Sequence, residues 1–276
     1  MSDVPTAILL AIGNELLNGE VQDTNLFTLA RKLTHLGFTV EQTAMVRDDP
    51  RCIAVTLLHL LESHPDVLIV CGGLGPTDDD LTLAALAHPL ELPLVENAEA
   101  RRLVEQHYER LLAQGYVPRR GPEKARRKMS TLPQGATPLH NPVGTAPGVQ
   151  LEIEGALLFC LPGVPAELEA IFAESIAPEL ERRFGAGSWV EGHLLAGCQD
   201  EAEVAELLHE VTPRHPDVYI KSLARPFPDA GDATLRILAA SHAPAASVAR
   251  SRVANALADL RKVLQRAGIH VEMGNP

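Results

Sequence analysis

The chain has 276 residues, a length for which we expect two domains. Its 36 acidic and 24 basic side chains give a formal charge of −12, which argues against binding nucleic acid through a broadly basic surface. No apolar run approaches the roughly 20 residues of a membrane-spanning helix, and the N-terminus lacks the basic region of a secretory signal. We therefore expect a cytoplasmic protein without membrane contact. The four cysteines show no CxxC spacing, which predicts buried free thiols.

The first part of the chain alternates strands with helices. Continuous apolar runs predict buried strands at Thr6–Ile12 and Val67–Cys71, and a further strand is predicted at Thr39–Val46. Apolar residues at helical spacing follow Asp23 and Asp49. A glycine-rich loop and a short helix come next. This order predicts an α/β domain with a mainly parallel sheet and right-handed crossovers.

Four further elements are predicted before the composition changes. They are a helix over residues 98–112, an exposed basic connection over 115–130, a hairpin over 149–161 and a helix that begins at Pro165. Proline and glycine residues between positions 176 and 188 then mark a domain boundary.

The boundary separates a first domain, residues 1–175, from a second and smaller domain, residues 176–276. The second domain has the predicted order β-α-β-β-α-β. This is the ferredoxin-like α+β order, a small mixed sheet with two helices on one face.

Residues 72–82 combine glycine with aspartate at the end of a predicted central strand. Gly72, Gly73 and Gly75 would let backbone N–H groups approach a phosphate, and the following helix would add the positive end of its dipole. The alternative is structural, because Thr77 and Asp80 resemble a capping pair at the start of that helix.

Capping explains two of the consecutive carboxylates Asp78, Asp79 and Asp80 but not the third. Three adjacent carboxylates would repel a phosphate as well as one another. A divalent cation between carboxylate and phosphate oxygens would remove that conflict. The segment therefore predicts a combined metal and phosphate site.

Other polar residues follow neighbouring strands at the same predicted sheet edge. Asn14 and Glu15 come directly after the first strand, Asp23 comes shortly later, and Asp48 and Asp49 follow the second strand. Taken singly, Asp23, Asp48 and Asp49 are typical helix caps. Taken together, these side chains indicate a ligand site.

Two loops rich in proline and glycine complete this edge. One contains Asn141, Gly144 and Thr145, and it is either a tight turn or a rigid loop that binds phosphate or ribose. The other contains Gly163 and leads to Glu167, which is either a partner of the helix dipole or a ligand-binding carboxylate.

The basic connection includes Arg127 and Lys128, which would supply counter-charge to a diphosphate if the connection is more than a solvated surface. The 11 histidines show no HExxH or HxH pattern, so none is assigned to a metal. The sequence contains no Walker A motif, GxSxG motif or Ser/His/Asp set.

Four ordered motifs carry a resemblance to a known family. They are Gly13-Asn14-Glu15-Leu16-Leu17-x-Gly19, Gly72-Gly73-Leu74-Gly75-Pro76-Thr77-x-Asp79-Asp80, Asn141-Pro142-x-Gly144-Thr145-Ala146-Pro147-Gly148 and Pro162-Gly163-Val164-Pro165-x-Glu167. In order and spacing they resemble the CinA-type competence/damage-inducible proteins. The resemblance implies a three-layer, molybdopterin-binding-like α/β domain followed by a KH-like or ferredoxin-like domain. Many relatives add a domain that deamidates nicotinamide mononucleotide, and we do not expect that activity here.

For a two-domain member, the resemblance implies a metal-dependent ADP-ribose pyrophosphatase, which hydrolyses this nucleoside diphosphate sugar to AMP and ribose 5-phosphate. We expect Asp78, Asp79 and Asp80 to bind Mg²⁺, Mn²⁺ or Co²⁺ or to position water, and a monovalent cation is a further candidate cofactor. The additional metal-binding candidates are Glu15, Asp23 and Asp48. The expected substrate-binding residues are Asn14, Gly72, Gly73, Gly75, Thr77, Asn141, Gly144, Thr145, Gly163, Glu167, Arg127 and Lys128. The resemblance also implies a homodimer, in which Arg127 or Lys128 would reach a neighbouring subunit's site.

Two other functions stay open. One is binding or transfer of a molybdopterin-type phosphate in molybdenum cofactor metabolism. The related molybdopterin-binding proteins use the position of Asp80, but they have threonine where this chain has Leu74, and the missing hydroxyl disfavours this function. The other is a non-catalytic, nucleotide-responsive factor in competence or DNA repair, although the net charge and the lack of a GxxG turn argue against nucleic acid.

Overall fold

A computed structural model describes residues 4–185, 187–198, 200–223 and 234–274. The chain divides into two compact units, one formed by Met1–Thr34 with Phe38–Phe184 and the other by His35–Gly37 with Gly185–Pro276. The elements up to Phe184 are, in chain order, β1 (Thr6–Ile12), α1 (Asn14–Leu17), α2 (Asn25–His35), β2 (Thr39–Val46), α3 (Pro50–Leu61), β3 (Val67–Cys71), α4 (Thr82–Ala87), β4 (Leu94–Glu96), α5 (Ala98–Ala113), α6 (Glu123–Met129), β5 (Thr131–Pro133), β6 (Thr137–Leu139), β7 (Gly148–Ile153), β8 (Ala156–Leu161), α7 (Pro165–Ile171) and α8 (Ala177–Phe184).

The main sheet of the first unit has six strands in the order β2-β1-β3-β8-β7-β6. β1 pairs in parallel with β2 and β3, and β3 pairs in parallel with β8. β7 runs antiparallel to both β8 and β6. The predicted α/β class, the mainly parallel sheet and the hairpin are confirmed.

Side chains of β1 alternate between two covered faces of this sheet. Ile8 and Leu10 pack in one core with Ile53 and Leu57 of α3. Leu9 points the opposite way and is also fully buried. The sheet is therefore the middle of three layers, and a strand buried on both faces has the continuous apolar sequence that identified β1.

Several short elements were not predicted. α1 follows β1 almost directly, and β4, β5 and β6 lie in stretches without a predicted element. β4 and β5 form a small sheet of their own. Strands of three residues are too short for hydrophobic alternation to be recognised in a sequence.

The basic connection was predicted to be exposed throughout, but it contains α6. Met129 of this helix is buried. The side chain of Arg126 is 15% exposed, and its Nη1 lies 2.7 Å from Glu105 Oε2 on α5. The tertiary contact between α5 and α6 thus covers residues whose composition is typical of a solvated surface.

The helix that begins at Pro165 continues farther than expected. A π-helical turn, Phe172–Ile176, joins α7 to α8, and both of its terminal side chains are buried. The first unit consequently extends to Phe184, whereas the predicted boundary after residue 175 falls inside this continuous helical segment. A π turn keeps the chain helical, so the change in composition did not coincide with a break in structure.

The second unit contains β9 (Ser188–Ala196), α9 (Glu201–Val211), β10 (Tyr219–Leu223), β11 (Leu235–Ala243), α10 (Ala246–Arg266) and β12 (Val271–Gly274). Its sheet has the order β10-β11-β9-β12 and is antiparallel throughout. The ferredoxin-like order is confirmed, but the predicted mixed sheet is wrong. α9 connects β9 to β10, and β11 lies between these two strands in the sheet. α10 likewise connects β11 to β12, with β9 between them, so every pair of adjacent strands is antiparallel. Val204 of α9 and Leu260 of α10 share a core with Ile237 of β11.

None of the described helices is both long and apolar enough to cross a membrane. All four cysteines are free thiols, as predicted, and Cys71, Cys160 and Cys198 are buried. Cys52 is exposed, contrary to expectation. It lies in the first turn of α3, beside the apolar stripe that faces the core.

Candidate functional site

The loop that follows β3, residues 72–81 (the glycine loop), is held by close backbone contacts. Gly72 has a φ of +105°, and a Cβ there would lie 2.1 Å from the carbonyl oxygen of Ile12. Gly73 has a φ of +66°, and a Cβ there would lie 2.3 Å from Thr82 Oγ1. The buried hydroxyl of Thr82 donates to the Gly72 carbonyl at 2.8 Å. The loop thus requires glycine for its own packing, whether or not a ligand binds.

Asp80 closes a turn inside the glycine loop. Its Oδ2 accepts hydrogen bonds from the backbone N–H of Thr77 at 2.8 Å and from the Thr77 hydroxyl at 2.6 Å. α4 begins only at Thr82, and the preceding residue makes no capping side-chain bond. The Thr77 and Asp80 pair therefore stabilises the loop and does not cap the helix.

Asp78 was predicted to be catalytic and metal-binding, but the structure places it outside the cavity at this edge. Its side chain is 95% exposed, and Oδ1 lies 3.7 Å from Lys124 Nζ. Asp79 and Asp80 do line the cavity. Successive side chains of a turn point in different directions, so three consecutive aspartates do not converge on one point.

Asn141 organises residues 141–148, which we call the asparagine loop. It is 4% exposed. Its carboxamide makes four hydrogen bonds, to the N–H groups of Val143 (3.1 Å) and Gly144 (2.8 Å), the carbonyl of Ala146 (2.8 Å) and Oε2 of Glu167 (2.7 Å). These bonds use both hydrogens and both acceptor positions of the carboxamide. Asn141 was predicted to bind substrate, but in the structure its side chain holds the conformation of the loop that carries Gly144 and Thr145.

Glu167 lies in the first turn of α7 and contacts the asparagine loop. A Cβ at Gly144 would lie 2.1 Å from Glu167 Cδ, so only glycine permits this approach. Glu167, Thr145 and Gly163 all line the cavity. The carbonyl of Gly163 accepts a hydrogen bond from Asn25 Nδ2 at 2.7 Å.

The end of β1 brings Asn14 and Glu15 to the same cavity. The backbone N–H of Asn14 donates to Asp48 Oδ2 at 2.7 Å. The Glu15 carboxylate folds over Gly13, where a Cβ would lie 2.5 Å from Oε1. Asp48 therefore connects the ends of β1 and β2 and does not cap α3.

Asp49 and Asp23 serve as helix caps and not as residues of the ligand site, which was the other interpretation of these two side chains. Asp49 accepts from the N–H of Cys52 at 2.8 Å, and this hydrogen bond lowers the pKa of the Asp49 carboxyl. Asp23 accepts from the N–H of Leu26 at 3.1 Å at the start of α2. Neither carboxylate lines the cavity, although Asp23 was predicted to bind metal.

The cavity has a volume of about 850 Å³ and lies where the carboxyl ends of β1, β3 and β8 meet. Among the residues that the structure describes, its lining contains no lysine, arginine or histidine. It contains six carboxylates, those of Glu15, Glu20, Asp48, Asp79, Asp80 and Glu167. Gly72, Gly73, Leu74 and Gly75 of the glycine loop line the same space, so the cavity combines a concentrated negative charge with the backbone of that loop.

These carboxylates do not form a ready-made metal cage. Within the described ranges, no group of three or more His, Cys, Asp or Glu side chains is arranged to hold a metal ion. Asp80, Asp48 and Glu167 are each held by the loop contacts given above. The six predicted metal candidates therefore do not converge, because Asp78 and Asp23 point elsewhere.

The two predicted basic residues, Arg127 and Lys128, are not in the lining of the cavity. Lys128 Nζ contacts the carbonyl oxygen of Thr77 within the same chain. Arg127 Nε lies 3.4 Å from Glu96 Oε2, with its side chain 70% exposed. Lys128 therefore supports the glycine loop from its own subunit.

Sequence reasoning missed several residues that build this site. Thr82 and Asn25 hold the loop backbones, and Glu20 and Tyr108 line the cavity. Thr82 gave a weak signal, as a hydroxyl at the first position of an apolar helix. Tyr108 gave none, because α5 reaches the cavity only through the tertiary fold.

Cys71 adjoins the glycine loop but is unsuited to nucleophilic chemistry. Burial raises the pKa of its thiol to about 12. The thiol is therefore protonated at neutral pH, and the thiolate is the reactive form of cysteine. The site chemistry rests on carboxylates and backbone amides.

Comparison with known proteins agrees with this architecture. A family described as a probable molybdopterin binding domain matches residues 8–182. A protein of Pyrococcus furiosus is 39% identical over 80% of this chain and 86% of its own length. A protein of Aeropyrum pernix is 35% identical over 97% of both chains.

Among solved structures, the protein CinA of unknown function from Thermoplasma acidophilum is similar to this chain. It is 31% identical with a TM-score of 0.56, and the match covers 66% of this chain and 98% of that one. The chain belongs to the probable molybdopterin binding domain family and is a CinA-type protein.

Proposed function

We propose that this protein hydrolyses ADP-ribose to AMP and ribose 5-phosphate with the aid of a divalent cation. The observation that supports the proposal is the cavity of about 850 Å³ with six carboxylates in its lining and backbone amides at its glycine loop. Its volume is in the range of small-molecule sites, roughly 300–1,000 Å³. A diphosphate can enter so acidic a cavity only with cationic counter-charge.

The residues fit a cation that arrives with the substrate better than a resident one. Mg²⁺ commonly takes one or two carboxylates and completes its shell with phosphate oxygens and water. In the described part of the chain, the carboxylates of Glu15, Glu20 and Asp79 line the cavity without a hydrogen-bond partner. They are the side chains that would hold the cation, and a monovalent cation could add to the counter-charge. When bound, a divalent cation would offset the charge that develops on the bridging and leaving oxygens.

The chain's own groups would orient the substrate and the water. Backbone N–H groups near Gly73 and Gly75 would bind a phosphate, and Thr145 would contact the ribose. Asp79 would hold the attacking water and accept its proton. The water oxygen forms a bond to one phosphorus, the bond from that phosphorus to the bridging oxygen breaks, and the leaving phosphate keeps the electron pair. One water is consumed, and the products are AMP and ribose 5-phosphate.

The test is incubation of the full chain with ADP-ribose and Mg²⁺, Mn²⁺ or Co²⁺ in K⁺ buffer, followed by chromatography of the products. We expect AMP release that chelation abolishes and that Asp79→Asn or Asp80→Asn lowers by at least about 100-fold. Asp78→Asn is the matched control and should stay within about twofold, because Asp78 lies outside the cavity. Failure of every metal to yield AMP would refute the proposal and leave the non-catalytic alternative.

The family match favours one alternative, binding or transfer of a molybdopterin-type phosphate. Leu74 lines the cavity, is 6% exposed and has no hydroxyl to donate to such a ligand. Tight pterin binding without ADP-ribose turnover would favour this alternative. Titration of the protein with a pterin phosphate, followed by fluorescence, distinguishes the two.

We also propose that the protein is a homodimer, as the family resemblance implies. Arg127, whose side chain is 70% exposed, would then be available to a diphosphate in a neighbouring subunit. Light scattering at micromolar concentration tests this assembly. A monomer that hydrolyses ADP-ribose would remove any role of Arg127 across subunits.

A further inference from the structure

A second cavity borders the asparagine loop and carries the opposite charge. It has a volume of about 220 Å³ and lies between α5 and the loop. Thr145 lines both this cavity and the larger acidic one, so the two are adjacent. The described lining of the smaller cavity contains Arg110, His107 and His140 but no aspartate or glutamate.

Arg110 is the permanent cation of this cavity. Its Nη2 donates to the Pro142 carbonyl at 3.0 Å and lies 2.7 Å from His107 Nδ1. Among the residues that the structure describes, the contacts of the Arg110 side chain use only Nη2, which leaves the Nε and Nη1 hydrogens for an anion. His140 Nδ1 lies 2.8 Å from Glu174 Oε1, so His140 adds positive charge only when it is protonated.

His107 lines the cavity as a neutral imidazole. It is 8% exposed. Because the guanidinium can only donate, His107 Nδ1 must accept, which places the imidazole hydrogen on Nε2. Burial, with Arg110 and His140 nearby, lowers the pKa of His107, in agreement with this neutral form.

We propose that this second cavity, which we call the arginine pocket, binds a phosphate monoester without a metal ion. Arg110 offers a permanent positive charge and its Nε and Nη1 hydrogens to phosphate oxygens, and the hydroxyl of Thr145 offers a further donor. Anion binding rests on these residues alone. The source of the phosphate rests on the proposed function: it is either the product ribose 5-phosphate or an additional phosphate on the ribose of the substrate.

Calorimetric titration of the full chain with ribose 5-phosphate, inorganic phosphate and ribose, in the presence of EDTA, tests the proposal. Both phosphates should bind and ribose should not. Arg110→Gln should weaken phosphate binding at least about tenfold, since hydrogen bonds to charged groups are strong. Arg110→Lys should give an intermediate loss, because it keeps the charge but not the Nε and Nη1 hydrogens of the guanidinium. Arg102→Gln, on the same helix but paired with Glu99, is the matched control and should bind normally.

The source is then identified by kinetics. Weaker product inhibition by ribose 5-phosphate in Arg110→Gln assigns the arginine pocket to product. A lower KM for ADP-ribose 2′-phosphate than for ADP-ribose, lost in Arg110→Gln, assigns it to substrate. Absence of phosphate binding in EDTA, or binding that Arg110→Gln leaves unchanged while its circular dichroism is native, overturns the proposal even if ADP-ribose is hydrolysed. Phosphate binding that depends on Arg110 supports it even if no AMP forms.

Discussion

The glycine loop and the asparagine loop border the same cavity but are fixed by different means. In the glycine loop, the backbone approaches its neighbours so closely that a Cβ at Gly72 or Gly73 would collide with them. In the asparagine loop, one buried carboxamide makes four hydrogen bonds. Residues typical of ligand binding thus serve to build both loops, and the charge of the cavity is the better guide to its ligand.

The comparison predicts the largest loss of stability for Gly72→Ala. The left-handed backbone and the contact with Ile12 should together lower the free energy of unfolding by about 4 kcal/mol. Gly19→Ala is the control, since Gly19 has a φ of +73° but no heavy atom within 4 Å, and it should cost about 1 kcal/mol. Urea denaturation measures both, and equal losses would show that steric contact does not fix the glycine loop.

Asn141→Ala should have the next largest effect, because it removes four hydrogen bonds and leaves their partners unsatisfied. We expect a loss of about 3 kcal/mol in the free energy of unfolding. Asn18→Ala is the control, since Asn18 is exposed and accepts one bond from Arg47. A loss at Asn141 no larger than that at Asn18 would contradict the assigned role of its carboxamide.

Gly144→Ala tests whether the two loops differ in rigidity. The added Cβ would meet the carboxylate of the Glu167 side chain and not backbone atoms, which are harder to displace. We therefore expect the free energy of unfolding to fall by about 2 kcal/mol. In a Glu167→Ala background, the same substitution should cost less than about 1 kcal/mol, because the colliding group is gone. Thermal denaturation of the four proteins in the cycle measures this coupling, and strictly additive losses would disprove the contact.

The smallest effect concerns pH. The pKa of His107 is lowered in the folded state by burial, so the unfolded chain binds the proton more readily. This contribution to stability is present above the ordinary histidine pKa of about 6.5 and is lost as the pH falls below it. His107→Gln should make the decline below about pH 6.5 shallower. An unchanged slope in urea titrations would show that folding does not lower the pKa of His107.

Much of the fold was predictable because its strands are buried on both faces. β1 and β3 are continuous apolar runs, and their order with α2 and α3 indicated a parallel sheet. α6 was missed because its burial depends on α5. The first unit ends at Phe184, inside the predicted boundary region 176–188, but the limit after residue 175 falls within a helical segment because the π turn continues the helix. The cavity was predictable in place but not in composition: Asp79 and Asp80 line it, whereas Asp78 and Asp23 do not.

The sequence by itself determined the alternation of strands and helices, the edge of the sheet where polar loops gather, and the excess of negative charge. Those properties follow from local periodicity and residue type, which a single chain displays directly. Only the tertiary structure decided which carboxylates share a cavity, that Asn141 is occupied by its own loop, and that Arg110, His107 and His140 surround a separate pocket. Such groupings depend on side-chain directions and on contacts between residues distant in sequence.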